Sequence, residues 1–452
     1  MGYRTKRIQD FAKAARESRA LLERERWPHE RLERFRHERL QALTRHAAAH
    51  APFWRERIPT GRVELIDIEP CSKTDLMNSF DEMVTDQRLS LDELLVHLEG
   101  LTRDALYLDR YRVMTSSGSS GRKAVFVYDR PGWQGIIAMF LRRSDWTGMR
   151  PRLPRLRLAA IGGASPTHMS RRAAQALDVG VHRLLPLSVT QPIGELVAML
   201  NEFRPDHLNG YPSIIGPLAE EKLAGRLELE PTAVFTNSEP LSPTLRVRIE
   251  QAFGVRPYNF YATTEGLYGH DCPDGSMHLF DDMCIVENVD EGGRAVPPGT
   301  VGARLLVTNL FNHVQPLIRF EVSDLVAFDP EPCPCGRTVA RVRSLEGRAE
   351  EVLEVGGVTV HPMQFALVTA DPDVREFQVV QEGDALRLRV ALRNGAADAP
   401  ARLRERVSTR LHNLGVPRPI VEVETVDALE RSPGGKLQMI VPQGESLRGS
   451  HR

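Results

Sequence analysis

The chain is expected to fold as an α/β protein: a large N-terminal part with mixed, largely parallel sheets plus a β-rich subdomain, and a small, mobile α+β C-terminal part. Three observations lead there. Between residues 132 and 261, short apolar strand-like runs alternate with helical stretches, the order of a largely parallel sheet covered by helices. Residues 275–330 are β-rich and broken by turn signals. Beyond Gly347 a fresh strand and helix pattern begins. The length of 452 residues allows about two to four domains. The best cut lies near 346–351, which gives domains 1–346 and 347–452.

Taken in order, residues 7–50 read as helix, because Leu21, Leu22, Leu32, Phe35, Leu40 and Leu43 recur at helical spacing among charges. Helices and loops alternate over 51–100, with Pro52, Pro59 and Pro70 as breakers. Strand-like segments at 111–114 and 124–128 flank a Ser/Gly loop. Helices follow at 132–143, 167–177, 191–202, 212–224 and 242–253, interleaved with strands at 156–161, 206–209, 231–236 and 256–261. Strands are expected at 301–308, 317–328, 352–360, 377–380, 386–392 and 420–423. A helix over 399–414 is stopped by Gly415 and Pro417.

Composition narrows the function. Hydrophobic residues make up 41% of the chain and charged residues 26%, an ordinary globular balance. Lys plus Arg is 59 against 60 for Asp plus Glu, a net charge of −1. No global positive field exists to hold nucleic acid or an anionic membrane. No apolar run approaches the roughly 18 residues a membrane span needs, and the first segment lacks the apolar core of a signal peptide. Five cysteines in so long a chain argue against a disulfide scaffold. A cytoplasmic protein is the expectation. Lysine is scarce beside arginine, so each lysine is informative.

Four segments bear chemistry. In Thr115-Ser116-Ser117-Gly118-Ser119-Ser120-Gly121-Arg122-Lys123, glycines allow close backbone approach, and hydroxyls, amides and cations suit phosphate. It is not a Walker loop, since two residues rather than four separate the glycines and a strand follows. Alone it also reads as a hairpin turn. Thr236-Asn237-Ser238-Glu239-Pro240 and Tyr261-Ala262-Thr263-Thr264-Glu265 both follow expected strands, the end of an open α/β sheet where ligands bind. A glutamate there suits Mg²⁺ beside phosphates, and an aromatic suits a base. A cap and a core tyrosine are the plainer alternatives. Asp324 and Arg348 have the chemistry to grip a ribose, or to be surface ion-pair residues. Lys436, after Ser432-Pro433-Gly434-Gly435, has the reach to swing into a site, or is a solvated tail lysine.

Taken together and in this order, the segments resemble the AMP-forming adenylating enzymes, most of all the phenylacetate–CoA ligases and their relatives. The resemblance runs from about residue 40 to 440 and also includes PLIRFEVSDL with CPCGR and GRAEE with GGVTVHP. It implies ATP, Mg²⁺ and CoA as reactants and cofactors, with a small carboxylic acid, aryl or acyl, as substrate. Ser116, Ser117, Gly118, Ser119, Ser120, Gly121 and Lys123 would close on the ATP phosphates. Ser238, Glu239 and Pro240 would line the adenine, and Tyr261 would stack on it. Thr264 would contact the α-phosphate, and Glu265 would hold Mg²⁺. Asp324 would bind the ribose with Arg348, Glu350 would lie at a hinge, and Lys436 would bridge the acid and the α-phosphate. Two departures stand out: Gly121-Arg122-Lys123 where Gly-Lys-Pro is usual, and Ala262 where glycine is usual after the tyrosine.

Cys272, His278, Cys333 and Cys335 form a Cys₃His set suited to structural Zn²⁺, with His270 as an alternative ligand. Reduced or solvated side chains are the plainer alternative. Cys71 and Cys284 read as ordinary buried thiols. Trp133 and Trp146 read as core residues that could instead floor an aryl pocket opposite Tyr211 and Pro212. The acceptor is CoA, or a carrier-protein thiol, amine or other nucleophile. No nucleic-acid or membrane partner is expected, and a homodimer is open.

Overall fold

The computed structural model describes residues 2–102, 104–116, 124–163, 165–348, 351–369, 371–393, 396–431 and 437–443. The chain begins with two helices of 22 residues each, Tyr3–Arg24 and His29–His50, rather than one. The break falls at residues 25–28. Pro28 has no amide hydrogen to continue the first helix and sits at the cap of the second.

Strands β1 (Arg112–Thr115) and β2 (Val125–Tyr128) pair antiparallel as a hairpin. Then come β3 (Arg157–Gly162), β4 (Arg183–Ser188), β5 (His207–Gly210), β6 (Ala233–Asn237), β7 (Pro257–Ala262), β8 (Leu267–Asp271) and β9 (Met277–Leu279). The β-rich stretch supplies β10 (Cys284–Val289), β11 (Arg304–Asn309), β12 (Phe320–Val322), β13 (Asp324–Asp329) and β14 (Arg341–Arg348). A nine-stranded sheet runs β13-β14-β9-β8-β7-β6-β5-β3-β4. Strands β3 to β7 are mutually parallel, and from β8 onward the pairs are antiparallel. The sheet is thus mixed, with its parallel half where helices and strands alternate in sequence. Strands β10, β11 and β12 form a separate antiparallel sheet.

Helix positions follow from local signals. Ser242 caps Pro243–Phe253 by accepting from the Leu245 amide at 3.2 Å, Pro243 sits in the first turn, and left-handed Gly254 ends it. Strand β4, at the sheet edge, is one the sequence reading missed, as are β8 and β14. It carries Pro186 and only one buried residue, so neither alternation nor an apolar run marks it.

The last part contains a hairpin of β15 (Leu353–Val355) and β16 (Val358–Val360), then β17 (Val374–Glu382), β18 (Ala385–Leu392), β19 (Ile420–Thr425) and β20 (Ile440–Val441). The single strand expected over 352–360 folds back on itself because Gly356 and Gly357 both take positive φ. The four-stranded sheet β19-β18-β17-β20 packs on helix Ala399–Asn413. These residues make their own apolar core from Leu353 to Ile440. Among the described residues no helix is long and apolar enough to cross a membrane.

Candidate active site

Parallel pairing aligns Gly210 with Thr236 and Asn237 with Phe260, so β5, β6 and β7 end at one edge of the sheet. The residues that follow each strand therefore converge: Tyr211-Pro212, Ser238-Glu239-Pro240 and Thr263-Thr264-Glu265. Ser238 takes a positive φ of 66°, unusual for a residue with a side chain and typical of functional turns.

A cavity of about 260 Å³ opens at this edge, between the sheet and the last part of the chain. Ser238, Glu239, Pro240, Tyr261, Asp324 and Arg348 all line it. The Tyr261 hydroxyl donates to Asp324 Oδ2 at 2.8 Å, and Asp324 Oδ1 lies 3.8 Å from Arg348 Nε. Burial, then the Asp324 carboxylate, pushes the Tyr261 phenol well above its ordinary pKa, so it stays a donor. Asp324 and Arg348 face each other across β13 and β14. Gly347, beside Arg348, has φ +107°, and a Cβ there would meet Pro362 at 2.7 Å. Only glycine lets the chain turn this close to the last part.

A second cavity, about 80 Å³, adjoins the first and shares Ser238, Ala262 and Thr263 with it. Thr264 lines it, as do Tyr211, Asn209, His168 and Arg143. Glu265 lines neither cavity. Its backbone oxygen accepts from Asn309 at 3.2 Å, and among the described residues no basic side chain engages its carboxylate. The Tyr128 hydroxyl, at 3.0 Å from the Thr264 carbonyl, pins this turn. Trp133 is fully buried and lines neither cavity, so it packs as core, while Tyr211 lines the smaller cavity and Pro212 the larger.

Ser116 stands at the neck of the Ser/Gly loop. Its amide donates to the Ala124 carbonyl at 2.9 Å, and the Ala124 amide donates to Ser116 Oγ at 3.0 Å. Ser117, Gly118, Ser119, Ser120, Gly121 and Lys123 lie outside the described residues, as do Glu350 and Lys436. The flanks of Lys436 are described: Arg431 and Leu437 form a β-bridge, and Leu437 borders the larger cavity.

The sequence reading placed Arg431 at the head of the Lys436 segment but gave it no role. Its guanidinium pairs with Glu376 and donates to Ser213 Oγ at 3.1 Å. Ser213 in turn donates through its amide and hydroxyl, each at 3.0 Å, to Glu239. The chain Glu376–Arg431–Ser213–Glu239 thus joins the last part to the strand end at Ser238. Its only sequence signal was a charge next to the glycine-rich turn before Lys436.

The sulfur set does come together. The ligand atoms of Cys272, His278, Cys333 and Cys335 lie within 4.8 Å of one another. Cys272 Sγ is 3.8 Å from Cys333 Sγ, and Cys335 Sγ is 3.4 Å from His278 Nε2. Tetrahedral zinc, with bonds of about 2.3 Å to sulfur and about 2.0 Å to nitrogen, spaces its ligands roughly 3.5–3.8 Å apart. The cage therefore has the size of a zinc site. His278 Nδ1 faces the Val339 carbonyl at 3.3 Å, the orienting contact that frees Nε2 for a metal. His270, the alternative, is not in the group. Its ring faces the Asp271 carbonyl at 2.9 Å and Glu25 at 3.5 Å. Cys71 and Cys284 are buried free thiols.

No family model matches the chain. A phenylacetate–coenzyme A ligase from Thermus thermophilus is 27% identical, over 92% of this chain and 97% of the relative. The fold is that of 2-hydroxyisobutyryl-CoA ligase: against its postadenylation state with an acyl-AMP the TM-score is 0.75 at 24% identity, covering 93% of this chain and 91% of that one. Against the same ligase in its thioesterification state with CoA, the TM-score is 0.59 at 23% identity, with the same coverage. An amide bond synthetase from Marinactinospora thermotolerans scores 0.53 at 20% identity, over 72% of this chain and 66% of that one.

Proposed function

We propose that this chain, an AMP-forming adenylating enzyme of the phenylacetate–CoA ligase-like kind, activates a small carboxylic acid with ATP and passes the acyl group to CoA, releasing AMP and pyrophosphate. The observation that carries the reading is the junction of two cavities at Ser238, Ala262 and Thr263. The larger offers an aromatic, a carboxylate and an arginine for a nucleoside, and the smaller has room for little more than a short acid.

A carboxylate is a poor electrophile because its leaving group would be oxide. In the first step a carboxylate oxygen attacks the α-phosphorus of ATP, and the bond to pyrophosphate breaks. In the second, a CoA thiolate attacks the acyl carbon and AMP leaves. The first step brings two anions together, and its barrier is lowered by positioning and by charge placed where charge develops. Asp324 would hold the ribose hydroxyls while Arg348 fixes its carboxylate. Tyr261, tied by its hydroxyl, would present a fixed ring face to the adenine, with Ser238, Glu239 and Pro240 along its edge. Thr264 would contact the α-phosphate from the smaller cavity. Ser116 would anchor the loop of Ser117, Gly118, Ser119, Ser120, Gly121 and Lys123 over the outer phosphates. Lys436 would bridge the acid and the α-phosphate, delivered by the turn that Arg431 and Leu437 close.

Mg²⁺ would be held by Glu265, whose carboxylate faces no basic partner among the described residues, and would neutralise phosphate charge. Zinc would be held by Cys272, His278, Cys333 and Cys335. Four protein ligands leave no open position, so its part would be to brace the loop between β8 and β9 against the 333–335 turn.

Residues 347–452 would turn as a unit about the segment near Glu350 between the two steps, withdrawing Lys436 and admitting the thiol. The higher similarity to a postadenylation state than to a thioesterification state supports an arrangement suited to the first step. The co-substrates make the cytoplasm the fitting compartment.

ATP–pyrophosphate exchange over a panel of acids tests the first step; failure of every acid to support exchange would overturn the proposal. Transfer to an amine is the second reading, favoured by the likeness to an amide bond synthetase. Product analysis with CoA against amines and carrier proteins separates the two.

A further inference from the structure

The smaller cavity ends on a charge that no carboxylate among the described residues neutralises. Arg143 follows helix Arg130–Leu141 and is 4% exposed. Its guanidinium lies over the rings of Phe235 and Phe260, 4.0 and 4.6 Å from their centres. Nε and Nη1 are buried without a hydrogen-bond partner. Among the described residues no carboxylate pairs with it. Its neighbour Arg142 shows what a structural arginine looks like here: fully buried, it holds Glu25 at 3.2 Å and Asp282 at 2.7 Å. Burial alone pulls the Arg143 pKa down to about 9, so the side chain remains a cation at neutral pH. The ring faces offset part of the cost of burying it but accept none of its N–H groups. A guanidinium fork that lines a cavity and lacks an acceptor is built for a planar anion.

We propose that Arg143 binds a second carboxylate, and that the acid activated here is a short dicarboxylic acid. This rests on the adenylation reading, in which the reacting carboxylate lies at Thr263 and Thr264; Arg143 lines the same cavity. Size agrees. At roughly 10–15 Å³ per water-sized group, the 80 Å³ available holds about five to eight non-hydrogen atoms, which fits a dicarboxylic acid of about three or four carbons. Arg143 is then a specificity residue, acting on the end of the substrate away from the reaction.

AMP release would be measured with chain-matched pairs: propionate against malonate, butyrate against succinate, and valerate against glutarate. In the best pair the dicarboxylate should exceed its partner at least ~10-fold in kcat/KM. Arg143→Met should lower the dicarboxylate value roughly 100-fold while sparing or raising the monocarboxylate value, with Arg143→Lys between. Monocarboxylates equal or better in every wild-type pair would overturn the proposal, as would a variant that lowers both acids alike. Should Arg143→Met fail to fold, the wild-type pairs decide. Should no acid release AMP, the adenylation reading falls. The arginine site is then judged by thermal shift of the wild-type protein: stabilisation by a dicarboxylate and not its partner sustains it, and none refutes it.

Discussion

Glu25 offers a direct test of how the N-terminal helices are held to the sheet. It sits in the break between the first two helices, 2% exposed by side chain. Its carboxylate meets Arg142 Nη1 at 3.2 Å, Arg337 Nε at 2.6 Å and His270 Nε2 at 3.5 Å. Its carbonyl accepts from the Thr338 amide at 2.8 Å. Burial by itself would raise its pKa, but the His270 hydrogen bond and the Arg142 and Arg337 charges win and hold it at about 2, against 4.5 for a free glutamate. At about 1.4 kcal/mol per unit, that difference is worth roughly 3 kcal/mol at neutral pH. Glu25→Gln keeps the shape and removes the charge, so it should lose about that much and leave Arg337 short of an anion. With an unfolding entropy of roughly 2.1 cal/mol/K per residue over about 340 residues, Tm should fall by about 4 °C. The pH sign is fixed. The folded pKa lies below the unfolded one, so the stability is present above pH 4.5 and lost as pH falls toward 2. Calorimetry should find the wild-type advantage nearly whole at pH 5 and more than half gone by about pH 3. A Tm within 1 °C (roughly 0.7 kcal/mol) of wild type at pH 7, or a gap that widens in acid, would refute the reasoning.

Three further outcomes are expected. Lys436→Ala should slow acyl-AMP formation by about 10²–10³-fold while sparing thioester formation from supplied acyl-AMP; equal loss in both assays would rule out a lysine used in one half-reaction only. Purified protein should carry roughly one zinc per chain by elemental analysis, and Cys333→Ser should lose both the metal and thermal stability; metal-free protein with an indifferent variant would end the zinc assignment. Asp324→Asn retains an oxygen to accept from Tyr261, so Tm should hold while KM for ATP rises roughly 10–100-fold; an unchanged KM would remove Asp324 from the nucleotide site.

Periodic and chemical signals were legible in sequence, and interactions between distant segments were not. The strand–helix alternation over 156–261 is a local pattern, and the helices and strands fall within a few residues of their expected places. The thiol set was legible because Cys and His advertise their chemistry at any separation; what brings them together is the pairing of Arg341 with His278 across β14 and β9, which no spacing rule encodes. Arg143, Glu25 and Arg431 had no legible role, for the opposite reason. Each is one charge among many in a chain with 59 basic and 60 acidic residues. Only packing turns Arg143 into a buried cation, and only the helix break at Pro28 turns Glu25 inward.

The contacts between the last part of the chain and the sheet edge bear on the proposed turning motion. An interface that must open in every catalytic cycle cannot be held by a dry apolar core, because breaking one would cost as much as unfolding a piece of the protein. Here polar contacts take part. Arg431 reaches Ser213, and Arg393 pairs with Glu220 at 3.0 Å, the side chains 31% and 26% exposed. Partly exposed pairs of this kind contribute about 0–1 kcal/mol each. Glu376, which holds Arg431, belongs to β17 of the same unit and would travel with it. Opening therefore breaks the bond to Ser213 but leaves Arg431 neutralised, and Glu239 keeps both of its bonds from Ser213. Among these described pairs no charge is left buried and unpaired after separation, which is the condition for two arrangements of similar free energy.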